Sequence, residues 1–280
     1  MSHPIANAFV DAAQQLGQDG IRQGNLLSFS ADDEIVYCGD IHGHRANLAK
    51  IIGFANLGMF PNRRLVLQEI IHEHLDSAAL DKSIEVLLRA VRLKLSYPGQ
   101  VYFLMGNHDI AQLTGNEITK DGAGVCLAFD AAIDSMFGPD AGEVRLAVHQ
   151  FLRAQPLAAA CPNGMFLSHS LPGPARMGLV DWTILQRPYA EEDLRRRGAV
   201  YEFTWGRDHT AGQLAQLKEK LHAAQFLLGH QPMAEGYAIV HRCEVILSSD
   251  HGHGCIMVFP AGGEVPDEGL RDLIQPIAGL

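Results

Sequence analysis

Residue types that bind metal ions follow five short apolar runs in this sequence. The runs, each with the polar residues after it, are 35–38 with Asp40 and His42, 65–67 with Glu69, 101–105 with Asn107 and His108, 165–167 with His169, and 226–228 with His230. A short apolar run bounded by turn residues is typical of a strand that is buried on both faces. Because ligands of layered α/β proteins bind at the carboxyl ends of such strands, we expect these side chains to meet at one edge of a sheet.

This set of carboxylate, His and Asn side chains is typical of a two-metal hydrolytic site. Cleavage of a phosphate ester requires a neutralised phosphoryl group, a nucleophile that forms at neutral pH and an acid for the departing oxygen. Two divalent ions ~3.5–4 Å apart meet the first two requirements, and a carboxylate between them offsets their repulsion. Mixed His and oxygen ligands suit Mn, Fe or Zn. A further His can serve as the acid, because its pKa lies near the working pH.

Each of these roles has a candidate among the residues that follow the runs. The predicted metal ligands are Asp40 and His42 for one ion, Glu69 as the bridge between the ions, and Asn107, His169 and His230 for the second ion. His108 directly follows Asn107 and therefore points elsewhere, where it can reach the leaving group. His108 is accordingly the candidate catalytic acid.

Composition and charge limit the class of protein and its partners. The chain has 280 residues, of which 47% are hydrophobic, enough for one large core in a single domain. Its formal net charge is −10. The longest basic run, the Arg triplet at 195–197, follows acidic residues and is interpreted as a solvated helix face. We therefore expect neither nucleic acid nor an acidic membrane surface as a partner.

The cysteines and the hydropathy pattern favour a soluble cytoplasmic protein. The five cysteines are scattered, include no CxxC pair and fall mostly in apolar stretches, as expected in a reducing compartment. Residues 1–20 lack the basic start and the continuous apolar core of a signal peptide. No run approaches the ~20 apolar residues that span a bilayer. The sequence does not indicate an oligomeric state.

Strands and helices alternate over the first two-thirds of the chain, and strands dominate the last third. Predicted helices cover 5–17, 76–96, 123–137, 142–154 and 211–224. The helix at 76–96 carries one apolar stripe and ends directly before the strand at 101–105, as in a strand–helix–strand unit of a parallel sheet. The predicted strands 237–241, 243–248 and 255–260 are expected to form an antiparallel meander. This order predicts an α/β sandwich of two packed sheets with outer helices.

Two complete motifs resemble signature blocks of the calcineurin-like metallophosphoesterases. They are Gly39-Asp40-Ile41-His42-Gly43 and Gly106-Asn107-His108-Asp109, which are similar to the first and third blocks of that family. The stretch 93–100 is similar to the phosphoprotein phosphatase branch in particular. Further likeness to that branch lies at 155–160, 166–172, 229–231 and 236–237. The resemblance covers roughly residues 34–260.

The resemblance implies a fold, a function and a mechanism. The implied fold is a four-layer αββα sandwich, in which two packed mixed sheets are flanked by helices and the metals bind at the sheet edge. The implied function is a dinuclear metal-dependent phosphatase that acts on phosphomonoesters, either a phosphorylated protein or a small metabolite. It implies the ligand roles given above, His108 as the leaving-group acid, and direct attack by a metal-bridging hydroxide with no covalent phospho-enzyme. We expect a helical extension at 1–30, the metallophosphoesterase domain at 31–265 and a tail at 266–280.

The second block departs from the pattern of that branch, which carries a Gly-Asp pair, then an Asp and an Arg. Glu69, one methylene longer, replaces the bridging Asp. His72 stands where a carboxylate orients the catalytic His, and Glu73 stands where an Arg binds the phosphate. Glu73 would repel a phosphate, whereas Glu73 or Asp76 could supply the missing carboxylate.

Replacement contacts can come from elsewhere in the chain. Arg207, in the stretch 205–208, faintly resembles a segment that supplies a phosphate-binding Arg in the family, and is otherwise an ordinary loop residue. Asp250 and His251 follow a predicted strand and are candidate substrate contacts or extra ligands, or else part of a polar turn. His72 and His74 are either ligands of a rearranged site or supporting and solvent-facing residues.

Two other functions stay open on the sequence alone. A phosphodiester or dinucleoside polyphosphate hydrolase would keep the metals, and the missing family Arg favours it because a less charged phosphoryl group needs less cationic clamping. A catalytically impaired pseudo-phosphatase would keep the fold as a binding scaffold. The scaffold predicts a preparation without stoichiometric metal and a melting temperature that is indifferent to a chelator.

Overall fold

Two large β-sheets with helices on both outer sides, and a small two-stranded sheet of residues 119–120 and 123–124, make up the described fold in a computed structural model of the protein. The structure describes residues 3–73, 80–120, 123–265 and 269–280. The described strands are β1 (Arg22–Gln23), β2 (Leu26–Ser28), β3 (Glu34–Asp40), β4 (Arg63–Gln68), β5 (Val101–Leu104), β6 (Thr119–Lys120), β7 (Ala123–Gly124), β8 (Ala158–Ala160), β9 (Met165–Ser168), β10 (Gln225–Leu228), β11 (Tyr237–Val240), β12 (Glu244–Leu247), β13 (Cys255–Pro260) and β14 (Ile274–Pro276).

The described α-helices are α1 (Pro4–Gly17), α2 (Arg45–Ala55), α3 (Ser83–Ser96), α4 (Asn107–Thr114), α5 (Val125–Phe137), α6 (Ala141–Ala154), α7 (Glu191–Leu194), α8 (Ala199–Trp205) and α9 (Ala211–Leu221). Short 3-10 helices cover Gly138–Asp140, Pro174–Arg176, Trp182–Leu185, Leu270–Leu273 and Ile277–Gly279.

Each large sheet combines parallel and antiparallel strands. One has five strands in the order β14-β13-β3-β4-β5, with β3, β4 and β5 parallel and β13 antiparallel to β3. The other has seven strands in the order β1-β2-β8-β9-β10-β12-β11, with β9, β10 and β12 parallel. α3 connects the parallel strands β4 and β5, which confirms the predicted strand–helix–strand unit.

Apolar side chains on both faces of the strands produce the layers. Successive residues of a strand point to opposite faces. In β3, Ile35 and Tyr37 enter the core between the two sheets, whereas Val36 and Cys38 enter the core beneath the helices. Helices α1, α2, α3, α5 and α6 cover the five-stranded sheet, while α8 and α9 cover the seven-stranded sheet. The resulting helix–sheet–sheet–helix order confirms the predicted fold class. Among the described residues, no helix combines the length and apolar character needed to cross a membrane.

Helix α3 begins later than its apolar stripe predicts. Residues 76–79 of the predicted helix lie outside the described residues, and 80–82 are not helical. The carboxylate of Asp81 accepts the backbone N–H of Ser83 at 2.7 Å, a local turn that competes with helical hydrogen bonding. From Ser83 onward the stripe is buried as predicted, through Ile84, Leu87 and Val91.

The N-terminal segment is integrated into the fold. Phe9 on α1 is fully buried and meets the ring of Phe151 on α6 edge-on, with the ring centroids 5.9 Å apart. β2 pairs in parallel with β8 and so extends the seven-stranded sheet. Within the expected helical extension at 1–30, the apolar face of α1 therefore belongs to the core and β2 belongs to the seven-stranded sheet. The domain boundaries at 30 and 265 stay predictions.

The last strands are distributed over both sheets. β11 and β12 are antiparallel neighbours, as predicted, but the expected third strand of the meander, β13, joins the other sheet beside β3. Both faces of β13 are apolar, with Ile256 in the core under the helices and Met257 in the core between the sheets, so a central position suits it better than an edge. Within the predicted tail, 266–268 lie outside the described residues, while β14 pairs with β13.

Candidate metal centre

The carboxyl ends of five strands meet where the two sheets adjoin. β3, β4 and β5 belong to one sheet, and β9 and β10 belong to the other. The hydroxyl of Tyr37 on β3 donates to the carbonyl of Ser168 at the end of β9, at 3.0 Å. The two sheets also approach closely at Gly39, where a Cβ would lie 2.0 Å from the carbonyl oxygen of Leu247 on β12. The expectation of a single sheet edge is therefore wrong, since both sheets contribute strand ends to the site.

The loops after these strands adopt a left-handed backbone at the residues of interest. The φ angles are 40° at His42, 43° at Glu69 and 68° at His230. Positive φ is uncommon for residues other than Gly and is concentrated at functional sites. The carbonyl of Glu69 accepts the backbone N–H groups of Ile41 and His42 at 3.0 and 2.9 Å, which ties the first and second loops together.

Glu69 occupies the centre of the cluster. It is 1% exposed. The candidate ligand atoms of Asp40, Glu69 and His169 lie within 4.8 Å of one another, and so do those of His42, Glu69 and His108. Glu69 belongs to both groups, which is the position of a bridging carboxylate. This grouping differs from the predicted one, because Asp40 lies with His169, and His42 lies with His108.

Hydrogen bonds from behind orient the ring of His169. The amide nitrogen of Gln68 donates to the hydroxyl of Tyr37 at 2.7 Å and to the carbonyl of Cys38 at 3.0 Å. Its amide oxygen therefore faces Nδ1 of His169, 2.9 Å away, and that nitrogen must donate. Nε2 of His169 is left with its lone pair, 2.7 Å from Oε2 of Glu69. A lone pair directed at a carboxylate is the arrangement that a shared cation would stabilise.

A hydrogen bond also fixes the ring of His42, and Asn107 contacts the rings of His169 and His230. Nδ1 of His42 donates to the carbonyl of Ile71 at 3.1 Å, which leaves Nε2 as its ligand atom. Oδ1 of Asn107 lies 2.8 Å from Nε2 of His169 and 2.8 Å from Nδ1 of His230. Asn107, His169 and His230 are thus brought together as predicted for the second ion.

Buried negative charge gives the cluster an electrostatic preference for cations. Burial and then the charge of Glu69 raise the pKa of Asp40 to about 8. The same two causes raise the pKa of Asp109 to about 7. Each carboxyl opposes ionisation of its neighbours, and divalent cations between them would relieve that opposition. The donor set therefore fits two divalent ions held by His nitrogens and carboxylate or amide oxygens.

Arg207 approaches the cluster from the rim. Its Nε donates to Nε2 of His230 at 3.0 Å. Burial, together with the nearby His169 and Arg207, lowers the pKa of His230 to about 2. Asp40 accepts the backbone N–H of His230 at 3.0 Å, which holds the loop after β10 against the end of β3.

The altered second block places His72 beside His108 and turns Glu73 away. Nδ1 of His72 lies 2.8 Å from Nδ1 of His108. Burial lowers the pKa of His72 to about 4. The carboxylate of Glu73 accepts the backbone N–H of Lys82 at 3.1 Å, and Glu73 is not among the described residues that line the cavity beside the cluster; its repulsion of phosphate stays a prediction. His74 and Asp76 lie outside the described residues.

A cavity of about 220 Å³ opens onto the cluster. Its lining residues are Asp40, His42, Glu69, Asn107, His108, Ile118, Thr119, Arg207, His230, Pro232, Ser248 and Asp250. Of the predicted substrate contacts, Arg207 and Asp250 line the cavity. His251 is directed elsewhere, with its Nε2 2.9 Å from the carbonyl of Met233.

Several residues that shape the site carry little or no signal in the sequence. Gln68 directly precedes Glu69 at the end of β4, and that position was its only local signal. Ile118 and Thr119 form part of the cavity wall without any motif to mark them. The side chain of Gln112, on α4, contacts His72, which lies 40 residues earlier in the sequence. No local pattern in the sequence indicates this contact.

Comparison with known proteins adds a family and a fold. A family model described as calcineurin-like phosphoesterase matches residues 34–249. The fold is similar to that of a protein serine/threonine phosphatase from Saccharomyces cerevisiae with similarity to human phosphatase PP5. For that pair the TM-score is 0.68 and the identity 14%, over 98% of this chain and 92% of that chain. A cold-active protein-tyrosine phosphatase of a psychrophile, Shewanella sp., gives a TM-score of 0.59 and 15% identity, over 85% of this chain and 77% of that chain. At these identities the likeness concerns the fold.

Proposed function

Because this chain belongs to the calcineurin-like phosphoesterase family and is a metal-dependent phosphoric ester hydrolase, we propose that it is a dinuclear phosphatase of phosphomonoesters. Its substrate is a phosphorylated protein or a small phosphorylated metabolite. The observation that carries the proposal is Glu69, whose carboxylate lies within 4.8 Å of candidate ligand atoms of Asp40 and His169 and also of His42. His108, the third member of the second group, is assigned as the acid and not as a ligand. A single buried carboxylate that is shared by two sets of ligands supports a site for two adjacent ions and not a site for a single ion.

Six residues are the proposed metal ligands, and hydrogen bonds orient the rings of two of them. Asp40, His42, Glu69, Asn107, His169 and His230 would hold two divalent ions, Mn, Fe or Zn. When bound, such ions neutralise phosphoryl oxygens and make water a nucleophile at neutral pH, so that no covalent phospho-enzyme is needed. Gln68 and the carbonyl of Ile71 fix the rings of His169 and His42 with the ligand nitrogens facing inward.

His108 and Arg207 are the proposed contacts to the ester itself. His108 lines the cavity and is the proposed acid that gives a proton from Nε2 to the departing oxygen. Arg207 lines the same cavity from an exposed loop and supplies the cation that the altered second block lacks. Glu73 is not among the described residues that line the cavity, whereas Arg207 is. A cationic lining residue favours the more highly charged monoester over a diester. Asp250 is proposed to contact the alcohol side of the substrate.

The test measures metal content per chain and hydrolysis of p-nitrophenyl phosphate in parallel. We expect two metals in the wild-type protein, and loss of both metal and turnover in Glu69→Ala. Glu219→Ala, at an exposed position of α9, is the matched control and should behave as wild type. Circular dichroism checks that each variant is folded.

Other outcomes identify the alternatives. Faster turnover of bis-p-nitrophenyl phosphate than of the monoester would replace the monoesterase by a diesterase. The pseudo-phosphatase scaffold would replace the enzyme if three results were found together. These are zero or one metal per chain, no turnover after addition of Mn²⁺, and a melting temperature that EDTA does not change.

A further inference from the structure

A chain of hydrogen bonds holds the ring of His108 from the side opposite the cavity. Nδ1 of His108 lies 2.8 Å from Nδ1 of His72, and Nε2 of His72 lies 2.9 Å from Oε1 of Gln112. Nε2 of Gln112 donates to Oδ1 of Asp130 at 3.1 Å. Asp130 also accepts from Nε of Arg145 at 2.9 Å. The chain thus crosses from α6 through α5 and α4 to the cavity.

The direction of every bond in this chain follows from Asp130. A carboxylate bound to an Arg only accepts hydrogen bonds. Gln112 must therefore present its amide nitrogen to Asp130 and its oxygen to His72. Nε2 of His72 must donate to that oxygen, which leaves a lone pair on Nδ1. His108 consequently donates its Nδ1–H to His72, and its Nε2 is the nitrogen left for the cavity.

Packing leaves the two middle members little freedom. His72 is 2% exposed and Gln112 is 4% exposed. The fully buried ring of Phe129 meets the His72 ring edge-on, with centroids 5.6 Å apart. The backbone N–H of His72 donates to Oγ of Ser83 at 3.0 Å. A side chain fixed by packing and by two directional hydrogen bonds can transmit an orientation to its neighbour.

We propose that His72 and Gln112, anchored by Asp130, are positioning residues that hold His108 with Nδ1–H toward His72 and Nε2 toward the substrate. They take the place of the carboxylate that the resemblance led us to expect beside His108. This inference rests on the proposed function, since His108 is catalytic only there. In the step concerned, His108 is the imidazolium, which has taken its second proton from solvent water at Nε2. That N–H bond breaks and an O–H bond forms at the departing oxygen as its bond to phosphorus breaks. The electron pair stays on Nε2, and Nδ1–H keeps its bond to His72.

A neutral acceptor suits this site because the cluster is already rich in buried carboxylates. Asp40, Glu69 and Asp109 are all buried, and Oε1 of Glu69 lies 3.7 Å from Nε2 of His108. A fourth carboxylate at position 72 would add to their mutual repulsion. An imidazole orients His108 without adding charge.

The kinetic test compares two leaving groups. Phenolate needs a proton from His108 far more than nitrophenolate does, so a misplaced acid slows the phenyl ester selectively. We expect His72→Leu to lower kcat for phenyl phosphate roughly 100-fold, a typical share for general acid catalysis, with KM unchanged. The loss for p-nitrophenyl phosphate should be several-fold smaller. His72→Asn, which keeps an acceptor for His108 and a donor for Gln112, should restore most of the rate. Gln112→Leu should reproduce the selectivity in a weaker form. Equal losses for both esters in folded variants would overturn the inference.

A second measurement does not depend on activity. In metal-free protein labelled with ¹⁵N-histidine, ring nitrogen spectra should show His108 protonated on Nδ1 and His72 protonated on Nε2. The opposite tautomer at His108 would overturn the hydrogen-bond chain. A wild type that is inactive with Mn²⁺ despite the expected tautomers would overturn the proposed function and, with it, the catalytic role of this chain. An active wild type whose leaving-group selectivity ignores His72→Leu would overturn the positioning role alone.

Discussion

Arg207 donates through Nε to Nε2 of His230, with 3.0 Å between the two nitrogens. A neutral His that accepts at Nε2 carries its proton on Nδ1, the nitrogen that faces Asn107. An ion bound at Nδ1 must displace that proton, and Nε2 then becomes the N–H. Arg207 and the proposed second ion therefore make opposite demands on one ring.

Removing Arg207 should strengthen metal binding while it weakens substrate binding. We expect Arg207→Ala to bind Mn²⁺ about 3- to 10-fold more tightly, the equivalent of one hydrogen bond, and to show a raised KM for p-nitrophenyl phosphate. Titration calorimetry against a competing chelator measures the first effect. Arg196→Ala, an exposed Arg on a neighbouring loop, is the control. Unchanged Mn²⁺ affinity in Arg207→Ala would show that the contact exerts no such competition.

Gly106 is required by the position of Glu69. A Cβ at Gly106 would lie 2.6 Å from Oε2 of Glu69, although the φ angle of −102° is open to any residue. Gly106→Ala should displace the carboxylate, reduce bound metal below one ion per chain and destabilise the metal-free fold by about 1–3 kcal/mol through overpacking. Gly99→Ala, where nothing lies within 4 Å of the added Cβ, should change neither quantity. Full metal content in Gly106→Ala would contradict the steric argument.

Gln68 should govern metal affinity without touching the metal. Gln68→Met keeps the volume but removes the acceptor that fixes Nδ1–H of His169. We expect about 10- to 100-fold weaker Mn²⁺ binding, the usual effect of losing a hydrogen bond to a ligating His. Tyr37→Phe should have a smaller effect, because Gln68 keeps its bond to the carbonyl of Cys38. A larger loss in Tyr37→Phe than in Gln68→Met would contradict this order.

A buried pair that is not part of the cavity lining predicts a pH dependence of stability. His209 lies between the carboxylate of Glu244 and the carbonyl of Leu171. Burial lowers the pKa of His209, but the hydrogen bond and charge of Glu244 outweigh it, so the pKa is raised. A raised folded pKa gives stability that is complete below the unfolded pKa of roughly 6.5 and is lost as pH rises through the folded value.

Urea midpoints of wild type and His209→Gln, measured over a range of pH, test the direction of this pH dependence. The difference between wild type and His209→Gln should be largest at acidic pH and shrink as pH rises above neutrality. His253→Gln, at an exposed turn, should show no such trend. A difference that grows with pH would contradict the assignment.

Local patterns predicted the strands and their polar ends, but not the contacts between distant elements. The apolar runs before Asp40 and Asn107 identify buried strands, because burial on both faces leaves a signal in consecutive residues. The partner of a strand is a choice among distant segments, and this is why the expected meander does not include the pairing of β13 with β3. Likewise, Gln112 and Asp130 lie on helices whose packing brings them to His72, and no spacing in the sequence marks that contact.

The placement of β13 beside β3 has a consequence for the growing chain. All six proposed ligands have been synthesised once His230 is complete, yet β3 still lacks its neighbour on one side until residues 255–260 follow. Until then, the strand that carries Asp40 exposes an unpaired edge, which is a template for wrong pairing. The five-stranded sheet that carries Asp40 and Glu69 is therefore complete only after the last ligand has been synthesised. A chain stalled shortly after residue 230 would hold every ligand on an incomplete scaffold.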